Sequence, residues 1–138
     1  VRLIEDELIK LCFVENKKIR TYIYEKLDVK WLHSDSIKQI FDAVYIHLVS
    51  ESAPNVPIII NELKDESYRR KLSTLIFDLE KIDATESMVR QCINRIESSW
   101  IKNRLDNLRE NLKLENQSHE TQSKIILEIA ELQEQLKN

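Results

Sequence analysis

A chain of 138 residues with 21 basic and 24 acidic side chains, a net charge of −3 and 42% hydrophobic residues has material for one modest core. It has no glycine and only two prolines, which excludes the phosphate-cradling P-loop, the dinucleotide fingerprint and glycine-based hairpin turns. The near balance of charge speaks against a dedicated nucleic-acid-binding domain, which needs a basic face. Leu, Ile, Glu, Lys, Arg and Gln dominate, and these residues predict an all-α fold.

The first expected helix covers residues 3–14, with Leu3, Ile4, Leu8, Leu11 and Cys12 at helical spacing. Glu5, Asp6 and Glu7 load its first turn and read as a solvated helix start. Asn16 is the expected cap of a second helix carrying Ile19, Tyr22, Ile23 and Leu27. A short connector anchored by Trp31 and Leu32 leads to a third helix, capped by Ser34 or Asp35. Its stripe of Ile37, Ile40, Phe41, Val44, Tyr45 and Leu48 marks it as the central core helix. The loop 52–57, with Pro54 and Pro57, is expected to end it. Pro57 then suits the first position of a short fourth helix through Ile58, Ile59, Ile60 and Leu63. Asp65 starts a fifth, with Leu72, Leu75, Ile76 and Leu79 on its buried face.

Residues 83–86 resemble a capping box with Asp83 in the cap position, opening a long helix over about 86–114. Val89, Ile93, Ile96 and Trp100 form one seam of spacing 4-3-4; Ile101, Leu105, Leu108 and Leu112 form another. The step from 100 to 101 breaks the heptad, so the two halves face different neighbours. Residues 115–119 read as a turn, and a last helix from about Thr121 repeats the spacing with Ile125, Ile129, Leu132 and Leu136. The chain therefore reads as a bundle, 1–99, followed by an αα-hairpin, 100–138, sharing the long helix of about 86–114. A hairpin burying one seam per helix leaves flanking Ile126 and Ala130 partly wet. Burial of one Leu or Ile contributes about 1.5–3 kcal/mol, much of which chain entropy offsets. Such an element is expected to be marginal alone and stabilised by a partner.

Catalytic constellations are missing from the sequence. His33, His47 and His119 lack ligand spacing, so no metal site is expected. Cys12 and Cys92 lie outside any C-x-x-C, and Cys12 has no evident base partner. Both read as small buried hydrophobes of a reducing compartment. Tyr68-Arg69-Arg70-Lys71 is the sharpest basic cluster and reads as a solvated face. Trp31, Trp100, Tyr22, Tyr24 and Tyr45 read as core anchors. No apolar run approaches the roughly 20 residues that span a bilayer, and no signal peptide is recognisable. The helix already under way at Val1 reads as the start of a fragment of a longer chain.

The order of elements resembles the C-terminal helicase-binding domain of bacterial DNA primases. The resemblance rests on the segments 7–14 (ELIKLCFV), 31–44 (WLHSDSIKQIFDAV), 91–96 (QCINRI), 101–108 (IKNRLDNL) and 129–137 (IAELQEQLK). It covers essentially the whole chain, as a pattern of elements with no invariant motif. It implies a compact helical bundle, similar to the N-terminal domain of the replicative helicase, followed by the helical hairpin. It also implies a non-catalytic function, docking primase onto the N-terminal collar of the hexameric replicative DNA helicase and modulating both activities. Primer synthesis, a nucleotidyl transfer, would belong to upstream domains with their zinc and magnesium; no cofactor is expected in this segment. Expected helicase-binding residues are Leu108, Leu112, Ile125, Ile126, Ile129, Leu132, Gln133 and Leu136, chosen for their position in the hairpin. Little nucleic-acid contact, a monomeric state with possible self-association through the hairpin, and a cytoplasmic location at the replication fork follow from the same resemblance. The alternative is the N-terminal assembly domain of the replicative helicase itself. Arg90, Arg95, Lys102, Arg104 and Arg109 on the long helix, and a chain ending right after the hairpin, fit the primase pattern better.

Overall fold

The structure, a computed structural model, describes residues 2–77, 79, 82–114 and 117–137. Among these it is all-helical, with α1 (Arg2–Leu11), α2 (Lys17–Lys26), α3 (Asp35–Tyr45), α4 (Val56–Glu62), α5 (Glu66–Ile76), α6 (Glu86–Leu112) and α7 (His119–Lys137), plus a 3-10 turn at Val29–Trp31. The chain divides into two compact units, Val1–Ile96 and Glu97–Asn138, and α6 runs through both.

Short polar side chains set the helix starts. Asn16 accepts from the Lys18 N–H at 3.0 Å, Ser34 from Ile37 at 3.4 Å, Asn55 from Ile58 at 3.1 Å and Asp65 from Ser67 at 2.8 Å. Each side-chain oxygen satisfies an N–H that has no partner within its own helix. The capping box expected at 83–86 is not how α6 begins. Thr85 Oγ1 accepts from the Met88 N–H at 3.1 Å, because Thr85 stands three residues before it and Asp83 five.

Several helix ends differ from expectation. α1 stops at Leu11, after which Cys12 and Phe13 continue in tighter turns that still bury both side chains. α3 stops at Tyr45, well before the proline loop. Residues 46–49 keep turning through i to i−3 bonds, His47 N to Val44 O at 2.9 Å and Leu48 N to Tyr45 O at 3.2 Å, which returns Leu48 to the core. α4 begins at Val56, one residue before Pro57, because Asn55 takes the cap.

The core of the first unit gathers Leu8, Ile9, Ile19, Ile23, Ile37, Ile40, Phe41, Val44, Ile59, Leu72, Val89, Ile93 and Ile96 with their neighbours. α3 packs against α1, α4 and α5, the place its broad apolar stripe predicts. Tyr24 and Tyr45 stack with centroids 4.5 Å apart, and Phe41 meets Tyr45 edge-on at 5.7 Å. Burial and the neighbouring Tyr24 hydroxyl hold the Tyr45 phenol above its ordinary range.

Two buried charges organise this unit. Glu5 is buried, contrary to the solvated helix start expected from its sequence run. Its Oε1 accepts from the backbone N–H groups of His33 and Ser34 at 3.0 and 3.2 Å, placing a carboxylate where α3 begins and its dipole favours an anion. Asp6 beside it pairs with Lys71 at 3.0 Å. Arg20 has no exposed surface and donates through Nη1 to the carbonyls of Leu48, Ser50 and Ser52 at 2.9, 2.8 and 3.1 Å. Its Nη2 reaches Glu15 O and Glu51 O at 3.4 and 3.3 Å. One guanidinium thus gathers carbonyls from the irregular stretch 48–52 beyond α3 and from Glu15 just before α2. Desolvation lowers the pKa of Arg20, and Glu15 and Glu51 oppose that shift.

The second unit has a small core of its own. Ile101, Leu105, Leu108 and Leu132 are buried, and Trp100, Ile125, Ile129 and Leu136 pack against them. Trp100, read in sequence as the last residue of the bundle seam, belongs to this cluster instead. The reason is angular: Trp100 precedes Ile101 by one residue and Leu108 by eight, so it flanks the second seam closely enough to cover it.

Candidate partner-binding helix

α7 is the element the sequence singled out for recognition. Ser118 caps it, accepting from the Thr121 N–H at 3.1 Å, so the helix starts at His119 and not at Thr121. Glu115 and Asn116 of the expected turn lie outside the described residues. Arg104 meets Glu128 in a two-pronged pair, Nε to Oε2 at 3.2 Å and Nη2 to Oε1 at 3.1 Å. The pair is partly exposed, so it sets the register of α7 on α6 more than it adds stability.

The eight expected binding residues separate into three groups. Leu108 and Leu132 are buried in the core of their own unit. Leu112, Ile125, Ile129 and Leu136 are half-buried along the seam. Ile126 and Gln133 are exposed, Ile126 to 57%. Only this last group is free to meet a partner without unpacking the hairpin. Ile126, Ala130 and Gln133 repeat the 4-3 spacing and share one wet face of α7. Leu127, 61% exposed, broadens its apolar surface. Sequence reasoning passed over Leu127, although its place beside Ile126 and outside the 125-129-132-136 seam was the available signal.

Other chemistry-bearing groups are committed elsewhere. Cys12 and Cys92 are free thiols, both buried, and Cys92 Sγ donates to Ile4 O at 3.4 Å. Burial pushes the Cys12 thiol up strongly and takes Cys92 up to about 12, with Glu7 adding to the shift and Arg95 opposing it. Neither thiol has the depressed pKa of a nucleophile. The basic cluster after Tyr68 is dispersed. Arg69 donates to Leu63 O, Arg70 faces Glu66 at 3.8 Å and Lys71 holds Asp6. His47 Nε2 lies 3.5 Å from Glu62, while His33 and His119 are exposed. Among the described residues, no group of three or more His, Cys, Asp or Glu side chains is placed to hold a metal ion, and no helix is long and apolar enough to cross a membrane.

Glu5 and Arg20 were missed as buried charges, yet their positions were legible. Glu5 stands three, four and seven residues before Leu8, Ile9 and Cys12; Arg20 stands three and seven before Ile23 and Leu27. Both therefore sit on the apolar faces of their helices, where a charge needs a dedicated partner. No family model, no curated protein and no solved structure matches the chain.

Proposed function

We propose that this chain is a non-catalytic protein-interaction module, the helicase-binding region of a bacterial DNA primase, which recruits primase to the replication fork through its C-terminal hairpin. The observation that carries this reading is the wet apolar face of α7. The helix buries a seam in its own unit and still presents Ile126 at 57% and Leu127 at 61% exposure. A helix with one face packed and a second apolar strip exposed suits helix-against-helix recognition. Acidic and basic side chains flank the strip, Glu131, Glu134 and Lys124 among them, and such a rim sets orientation more than affinity. The partner is the N-terminal region of the hexameric replicative helicase, with the resemblance of the segments above as the ground for naming it. On this reading the segment uses no cofactor, makes little contact with nucleic acid and works in the bacterial cytoplasm.

The test is titration calorimetry of the chain against the helicase N-terminal region of the same source, with light scattering of the chain alone. Saturable binding that Ile126→Asp weakens at least tenfold, at unchanged helicity, supports the reading. Binding that ignores Ile126→Asp removes the α7 face from the interface. No binding, together with self-association through the hairpin, moves the assignment to the assembly domain of the helicase itself.

A further inference from the structure

On the first unit, α2, the 3-10 turn and α3 enclose an open groove of about 540 Å³, within the range of about 300–1,000 Å³ of small-ligand clefts. Its lining is unusual for this molecule, since Tyr24, Trp31, Phe41 and Tyr45 bring four rings to one place. Phe41 is buried and floors the groove, while Tyr24, Trp31 and Tyr45 are half-buried and keep part of their surface toward it. The stacked Tyr24 and Tyr45 rings brace each other at 4.5 Å, each covering one face of the other, so the pair is held in place before any guest binds.

The rim is acidic. Glu25, Asp28 and Asp42 face one basic residue of the lining, Lys26. Glu25 and Asp42 are exposed; Asp28 Oδ1 caps the 3-10 turn, accepting from the Lys30 N–H at 3.0 Å, while its Oδ2 meets Lys30 Nζ in a surface ion pair at 3.6 Å, weak enough to exchange partners. Anions are disfavoured by these carboxylates, and a purely apolar guest would leave them unused. Rings with negative faces beneath a carboxylate rim are complementary to a cation that is planar and poorly hydrated.

We infer that this groove is a docking site for an arginine side chain of a partner peptide, the guanidinium lying against the tyrosine platform and its donors meeting the Asp42 and Asp28 carboxylates. A guanidinium fits better than an ammonium because it stacks on a ring and forks to a carboxylate at once. The site is on a different unit from α7 and does not rest on the helicase reading.

The test is a titration of the full chain with the blocked peptide acetyl-Leu-Arg-Leu-amide, followed by amide and indole proton shifts. The citrulline peptide is the control, since it keeps the shape of arginine and removes its charge. The expected result is a saturable shift of the Trp31 indole N–H and of amides in 24–31 and 41–45, with the Trp100 indole unmoved. The citrulline peptide should bind at least tenfold more weakly, and Asp42→Asn should weaken the arginine peptide about threefold or more, with the effect fading in high salt. Equal binding of the citrulline peptide, an unaltered affinity in Asp42→Asn, or shifts confined to other surfaces would each overturn the assignment.

Discussion

A guanidinium with no exposed surface needs its donors matched, because an unpaired buried charge is destabilising by several kcal/mol. Arg20 meets that need at its two terminal nitrogens, while Nε is left without a partner; Nη1 donates to the carbonyls of Leu48, Ser50 and Ser52, and those carbonyls in turn depend on it. Arg20→Met should therefore lower stability by about 3–5 kcal/mol in urea denaturation, far beyond the loss expected of a surface arginine. Arg20→Lys should recover only part of this, since one ammonium cannot span the same fork. The buried thiols make a second prediction at this scale. Cys92 ionises near 9.0 when unfolded and near 12 when folded. Between those values the unfolded chain has released a proton that the folded chain retains. The contribution of Cys92 to stability is thus unchanged below pH 9 and falls as pH rises toward 12. Denaturation midpoints across this range should decline less steeply in Cys92→Ala, and the native thiols should react with a disulfide reagent at pH 8 far more slowly than in denaturant.

At the scale of elements, capping residues and apolar periodicity were readable in advance, whereas helix ends governed by distant groups were not. Asn16, Ser34 and Asp65 act where their local chemistry put them. Ser34→Ala should lower stability by about 1 kcal/mol, measured as a shift of the denaturation midpoint at constant slope. Beyond Tyr45, where α3 ends, the carbonyls of Leu48, Ser50 and Ser52 are held by Arg20 of α2, a partner that no local signal carried. In the second unit the seam positions were legible from spacing alone. Leu105→Ala, at the centre of a core with four fully packed side chains, should remove about 2–5 kcal/mol from that unit. The expected readout is a loss of helical circular dichroism from the hairpin while the first unit still melts cooperatively. An unchanged spectrum would mean that α7 holds to α6 by other contacts.

For the whole molecule, the larger cluster lies wholly within the first unit and the smaller one wholly within the second. A chain limited to residues 1–96 should fold cooperatively by circular dichroism and calorimetry. Residues 97–138 alone should show reduced helicity, because few of their side chains leave water and helices of this length are marginal without tertiary packing. A fully helical, cooperatively melting 97–138 segment would contradict this. The all-helical class, most of the caps, the α3 stripe and the two matched seams were legible along the chain, because composition, capping and periodicity are local properties. Packing, by contrast, is what buries Glu5 and Arg20, brings Trp100 into the hairpin core, consumes Leu108 and Leu132 and leaves Ile126 wet. Those outcomes turn on which faces meet, and a face acquires its neighbour only when residues far apart in the chain come together.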